Sequence, residues 1–303
     1  MKLTRVYSSI TNTAVHVDIY QPNVILRYKG IIQIHHGILE YSSRYKKFAE
    51  YLSHEGFIVV VPDFPGHGTS LHEFEQGYFG DGKAIDTLVE DMQRLSQIVA
   101  SNYEDLPYFM IGIDFGSLVL MKYMQKYGDY IHGAIMIGTC IKNPFYYKLL
   151  TSVKINTFLN GNMYRSKLNK KILDNILQAN IKDNYKTANL NEWKQYLEDP
   201  MTDFIYTNQA YLDMLDYIKY VDNEMNLKKI PNYLPIYLLS GGLDNLTRRG
   251  KDTLTLYNRL KNNGVKDIEY KIYADKKQDI LHENEYEKIF KDIMKWLDAR
   301  TYI

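Results

Sequence analysis

Gly112-Ile113-Asp114-Phe115-Gly116-Ser117 joins an apolar run, Pro107–Ile113, to a segment of helical spacing, Ser117–Tyr127. The glycines at 112 and 116 bracket residue 114 as in a G-x-S-x-G turn. In such a turn a strand passes sharply into a helix, and the middle residue stands exposed above a sheet on strained backbone. The glycines permit the close packing that this turn needs. Position 114 is where a nucleophile would stand, and here it is Asp rather than Ser. A carboxylate there also suits the free N–H groups and dipole of a helix N-terminus.

On both sides of this turn, apolar runs alternate with amphipathic segments. Gly30–His36 reads as a strand and Arg44–Glu55 as a helix. Phe57–Pro62 (Phe-Ile-Val-Val-Val-Pro) is a continuous β-branched run of the kind that fills a parallel strand buried on both faces. The spacing of Ile85, Leu88, Val89, Met92, Leu95 and Ile98 predicts a helix over 81–101. A strand follows at Ile131–Ile137. After an interruption the alternation resumes with the strand Pro235–Ser240, the helix Gly250–Asn262, the strand Ile268–Tyr273 and the helix Tyr286–Ala299. Upstream, Thr4–Ser8 and His16–Tyr20 read as two short strands joined at Thr11-Asn12-Thr13. The expected fold class is therefore α/β: an eight-stranded, mostly parallel sheet with helices on both faces. Residues 1–143 and 231–303 form its core, and 144–230 form a helical cap inserted after the sixth strand.

That insertion has a polarised charge pattern. Residues 146–173 carry Lys148, Lys154, Arg165, Lys167, Lys170 and Lys171 and no acid, whereas 192–224 carry eight acids against Lys194 and Lys219. Solvated faces that pair with one another account for this. A basic patch that touches anionic head groups is the sharper reading.

Composition narrows the function. The chain has 303 residues, 45% hydrophobic and 24% charged, which excludes extended disorder and collagen-like or coiled-coil architecture. Lys plus Arg number 37 against 36 Asp plus Glu, so no excess of positive charge calls for nucleic acid. A single cysteine, Cys140, excludes an intrachain disulfide and a cysteine zinc site. No acidic or histidine cluster has metal-ligand spacing, and there is no phosphate-cradling glycine loop, so neither a metal nor a cofactor is expected. No apolar run approaches the roughly 20 residues that cross a bilayer. The opening Met1-Lys2-Leu3-Thr4-Arg5 leads into a polar strand pattern, and the expected location is the cytoplasm.

Two further stretches converge with the turn at 114, because loops at the carboxyl ends of parallel strands share one crevice. His35-His36-Gly37-Ile38-Leu39-Glu40 can aim the Ile38 amide at an oxyanion. Ser240-Gly241-Gly242-Leu243-Asp244 ends a strand and offers Asp244 as an orienting acid. The segment from Tyr273 to Glu283 stands where a base would be placed.

With these motifs the chain, over about 28–298, resembles the monoacylglycerol lipase/lysophospholipase branch of the α/β-hydrolase fold, whose domain is also called the serine aminopeptidase or Hydrolase 4 domain. The family's HG-x-x-E-x-x-x-RY stretch is matched from His36 to Tyr45, its D-x-x-GHG-x-S stretch from Asp63 to Ser70, and its G-x-x-D motif by Gly241 and Asp244. The resemblance implies a Ser–His–Asp triad, an oxyanion hole from the amides of Ile38 and Phe115, and a cap that admits acyl chains. A pocket is expected above Asp114 beneath the cap, lined in part by aromatic residues such as Phe145, Tyr146, Phe204 and Tyr206.

The departures carry as much information. Asp114 replaces the Ser. Aligned on Tyr273, Ile280, Leu281 and Glu283, Gln278 replaces the His, and Ala274-Asp275 replaces a Pro-Gly turn. Gln278 cannot take up and return a proton at neutral pH. The expected reading is a pseudoenzyme that has lost serine ester hydrolysis and keeps a pocket for a lipid-like or small acyl ligand. Its membrane contact would be peripheral, through the basic part of the cap. The alternative is an active hydrolase of carboxylic ester, epoxide or halide substrates, with Asp114 as nucleophile supported by Asp244 and a base, His282. A shifted alignment of the last loop, or changed residues at 114 and 278, would instead leave an ordinary lysophospholipase-like esterase.

Overall fold

A computed structural model describes residues 1–10, 14–23, 27–70, 76–80, 83–103, 105–141, 146–177 and 184–301. The Thr11–Thr13 turn and Phe145 lie outside the described residues. Eight strands form one sheet in the order β1-β2-β4-β3-β5-β6-β7-β8. They are β1 (Lys2–Ser8), β2 (Ala14–Tyr20), β3 (Gly30–His35), β4 (Phe57–Pro62), β5 (Tyr108–Ile113), β6 (Gly133–Ile137), β7 (Ile236–Gly241) and β8 (Ile268–Tyr273). Pairs β1–β2 and β2–β4 are antiparallel, and every other pair is parallel. Strands β3 to β7 are buried throughout, as continuous apolar runs require when both faces are covered.

One face packs on α1 (Lys46–His54) and α10 (Tyr286–Asp298), where the Phe48 and Phe290 rings meet at a tilt with centroids 4.7 Å apart. The other face packs on α2 (Ala84–Ala100), α3 (Phe115–Tyr127) and α9 (Lys251–Asn262) through Leu88, Met92, Leu118, Met121, Leu256 and Leu260. Burying each such side chain favours folding by about 1.5–3 kcal/mol. The helix read from Arg44 begins instead as a short tight turn, Ser42–Tyr45, and becomes α-helical at Lys46. Arg44 and Tyr45 are drawn inward there by buried carboxylates. Between β6 and β7 lie α4 (Tyr146–Asn160), α5 (Lys167–Leu177), α6 (Leu190–Glu198), α7 (Asn208–Val221) and the short α8 (Glu224–Leu227).

The register fixes where the loops meet. His35 of β3 is level with Gly112 of β5, and Gly112 with Met136 of β6. Gly241 of β7 is level with Tyr273 of β8. The Gly37–Glu40 loop, Asp114, Asp244 and the segment after Tyr273 therefore all emerge at the carboxyl edge of the sheet. Among the described residues no helix is long and apolar enough to cross a membrane.

Candidate active site

Asp114 stands between β5 and α3 with φ 49° and ψ −114°, a conformation that costs a non-glycine residue on the order of 1–3 kcal/mol. Bonds on both sides hold it. Its N–H donates to Ile137 O at 2.8 Å, and its carbonyl accepts from Ser117 N at 3.0 Å and Ser117 Oγ at 2.5 Å. The flanking glycines have no room for a side chain. A Cβ on Gly116 would come within 2.6 Å of His36 O, and one on Gly112 within 2.6 Å of Gly116 O.

The Asp114 side chain leans against the loop after β3, so that a Cβ on Gly37 would lie 3.2 Å from its Oδ2. The Ile38 N–H faces the carboxylate and favours its charged form. Gln278 Nε2 donates to Oδ2 at 3.4 Å. Burial is the largest influence and raises the Asp114 pKa to about 7. Lys186 opposes the rise, while Glu40 and Asp244 add to it. Phe115 borders the same cleft, but among the described residues its amide makes no hydrogen bond to the carboxylate.

Asp244 is fully buried in the turn after β7. Its Oδ1 accepts from Leu246 N at 2.8 Å and its Oδ2 from Thr247 Oγ1 at 2.7 Å. Burial pushes its pKa up to about 6 against these hydrogen bonds. It makes no hydrogen bond to Gln278 among the described residues. Asp114 and Gln278 are thus brought into contact, while the oxygens of Asp244 are held by its own turn.

His282 is held away from this pair. Its Nδ1 is 2.7 Å from Asp279 Oδ1 and its Nε2 is 2.7 Å from Arg44 O. Both ring nitrogens are engaged by these two groups, and neither is directed at Asp114. His36 and His67 serve the loop that carries Ile38. His36 Nδ1 donates to Gly37 O at 2.8 Å, and its Nε2 accepts from Phe64 N at 2.9 Å. His67 Nδ1 donates to Pro65 O at 3.0 Å, leaving Nε2 to accept from Tyr206 OH at 2.8 Å. Tyr206 OH in turn accepts from Leu39 N at 3.0 Å. Burial lowers both pKa values, to about 4 for His36 and about 3 for His67, so both rings stay neutral.

A buried ionic cluster lies beside the site. Lys186, in the stretch between α5 and α6, pairs with Glu40. Arg44 Nη2 lies 3.1 Å from Asp279 Oδ2, and its Nε lies 3.6 Å from Glu40 Oε1. Tyr45 OH donates to Glu40, and both cations lie over the Tyr196 ring, Lys186 at 4.7 Å and Arg44 at 4.9 Å. Burial alone would raise Asp279, but His282, Lys186 and Arg44 hold it well below the usual carboxylate range. Two acids converging inside the fold at Glu40 and Asp279 must find cations. That requirement was the signal in the sequence, although nothing local marked Lys186 as the partner.

Above Asp114 opens a narrow cleft with about 600 Å³ of atom-free space, partly open to solvent. Its walls include Tyr146, Leu149, Leu173, Ile176, Tyr211 and Met214 from α4, α5 and α7. Of the aromatic residues expected in this wall, Tyr146 is present. Phe204 and Tyr206 instead pack on His67, with ring centroids 5.5 Å away in each case, because the hydroxyl of Tyr206 anchors Leu39. Among the described residues no group of His, Cys, Asp and Glu is arranged to hold a metal ion.

Residues 27–285 match the family model described as Hydrolase_4, serine aminopeptidase, S33. The chain is 24% identical to human monoglyceride lipase over 278 residues, covering 90% of this chain and 84% of that protein. It is also 24% identical to rat monoglyceride lipase over 220 residues, which cover 72% of this chain and 66% of the rat protein, just under two thirds of its length. Among solved structures, a thermostable carboxyl esterase from Bacillus coagulans superposes with a TM-score of 0.89 at 23% identity, over 99% of both chains. A soluble variant of monoglyceride lipase from Saccharomyces cerevisiae superposes with a TM-score of 0.81 at 17% identity, over 100% of this chain and 96% of that one.

Proposed function

The chain belongs to the Hydrolase_4 (serine aminopeptidase, S33) family of α/β-hydrolases, in its monoacylglycerol lipase-like branch, and from that premise we propose that it binds a lipid-like acyl ligand without hydrolysing it. The reading is carried by the contact at the elbow. A carboxylate takes the place of a hydroxyl, and the side chain over it is the Gln278 amide. Hydrolysis through an acyl-enzyme needs a nucleophile, a base that removes its proton and returns it, and an oriented acid. Asp114 needs no deprotonation, but an ester formed on it could be released only by water that a base activates. No imidazole among the described residues hydrogen-bonds Asp114 or Asp244. The alternative with His282 as base would require that ring to leave both Asp279 and the Arg44 carbonyl.

In this reading residues 144–230 act as a cap whose inner face accepts the chain of the ligand. The Ile38 amide, which the protein's own Asp114 carboxylate faces, is the remnant of an oxyanion hole, and the Phe115 amide takes no part in that contact. The outer face of α4 and α5 carries exposed Tyr147, Ile155, Phe158 and Leu168 beside exposed Lys148, Lys154 and Lys171, which suits peripheral contact with an anionic lipid surface. The test is a paired assay on the intact chain. A fluorescent, uncharged single-chain monoacylglycerol analogue should bind and be displaced by unlabelled monoacylglycerol, while a fluorophosphonate probe leaves the protein unlabelled. Labelling, or failure of every single-chain lipid to bind, would refute the reading.

A further inference from the structure

We infer that the cleft above Asp114 selects a single-chain amphiphile with a positively charged, hydrogen-bond-donating head, of the long-chain primary amine class, over the corresponding carboxylic acid. The inference rests on the binding reading just given and names the head group of its ligand.

Of the fourteen described residues that line the cleft, Asp114 is the one that carries a charge, and the walls around it are aliphatic and aromatic. No cation approaches its carboxylate within 4.0 Å among the described residues, and none approaches Asp244, whose charge also acts on Asp114. Nearby cations are committed elsewhere. Lys186 pairs with Glu40 and lies over the Tyr196 ring, and Arg44 pairs with Asp279. Lys186 and Glu40 act on Asp114 with opposite signs. What remains is a carboxylate supported by the Ile38 N–H and one long amide hydrogen bond, at the end of an apolar cleft.

An apolar chain answers the walls, and an ammonium head answers the carboxylate through a charge-assisted hydrogen bond. An alcohol head can donate one hydrogen bond to Asp114 but leaves its charge uncompensated. A carboxylate head would set a third negative charge beside Asp114 and Asp244, which is unfavourable for all three. The replacement of an imidazole by Gln278 is what leaves the charge at this end unbalanced.

The experiment is equilibrium calorimetry of the intact chain with dodecylamine, dodecanol and dodecanoic acid below their micelle concentrations. It is run at about pH 8.5, where the amine is charged and Asp114 is ionised. The amine should bind about tenfold more tightly than the alcohol, and the acid more weakly than either. Asp114→Asn should bring the amine to the level of the alcohol. If the acid binds as tightly as the amine, or if Asp114→Asn leaves the amine preference in place, the inference is wrong while the acyl cleft stands. If none of the three binds, the binding reading fails with it. The head-group series on the unaltered protein decides the matter even if the variant does not fold.

Discussion

Gln278 turns its side-chain amide onto the Asp114 carboxylate, Nε2 to Oδ2 3.4 Å, so the residue we propose in the place of the base meets the residue we propose in the place of the nucleophile. In the proposed reading the contact keeps the spatial relation of a catalytic pair, and the Gln278 amide in it cannot relay a proton. Asp114→Ser alone should therefore give no ester turnover above the unaltered protein, measured with a p-nitrophenyl acyl ester. Asp114→Ser combined with Gln278→His should exceed the single variant by about a hundredfold, the lower end of what a general base contributes. Full recovery in the single variant would mean that another group serves as base.

Stability should depend on pH through Asp114. Its folded pKa of about 7 lies above the ordinary 3.8, so the native state holds the proton more tightly than the unfolded chain does. The favourable contribution is complete below the unfolded value and is lost as pH rises from 3.8 to about 7. Asp114→Asn removes the penalty of a buried charge. It should raise stability above pH 7 by on the order of 2 kcal/mol, or about 4 °C in Tm. The gain should vanish in acid. Thermal melts of both proteins across that range check the prediction, and an equal gain at every pH would contradict it.

The eight strands, the two-faced packing and the position of Asp114 at a turn between strand and helix were legible because each has a local cause. β-branched runs such as Phe57–Pro62 have few alternatives to a buried strand, and Gly112 and Gly116 mark where backbones come together. The ionic cluster was not legible. Lys186 lies outside any helix, about 146 positions from Glu40 in the chain, and its burial is decided only when the stretch before α6 docks on the core. His282 has the same lesson. Its distance in sequence from Gln278 left a role as base open, and what binds its ring is the carbonyl of Arg44, a backbone atom that no side-chain pattern announces. Phe204 and Tyr206 were read as pocket wall from their aromatic character alone, whereas the hydroxyl of Tyr206 fixed their place.

Lys186 should matter to folding more than a surface lysine would. Lys186→Met leaves Glu40 and Asp279 sharing Arg44 and His282, which should destabilise the protein by about 3–5 kcal/mol. Adding Glu40→Gln should return part of the loss, because the uncompensated charge is then gone. Denaturant unfolding of the two variants measures the coupling. Independent, additive effects would show that the pair does not interact.

Gly116→Ala should cost about 1–3 kcal/mol, since the new methyl group meets the carbonyl oxygens of His35 and His36 rather than a side chain that could give way. Chemical denaturation checks this, and a neutral result would mean that the elbow can open.

Exposed Phe158 and Leu159 of α4 and exposed Lys171 of α5 should govern attachment to lipid. Phe158→Ser with Lys171→Glu should reduce co-sedimentation with vesicles rich in anionic phospholipid by about tenfold or more and leave the melting temperature nearly unchanged. Undiminished binding would place the contact elsewhere.

Release of fatty acid from a monoacylglycerol by the unaltered protein, compared with Asp114→Asn, tests the central claim most directly. With a carboxylate at the elbow and an amide in the place of the base, the two proteins should release acid at the same rate as buffer. Turnover by the unaltered protein that disappears in Asp114→Asn would contradict the account and make Asp114 a nucleophile.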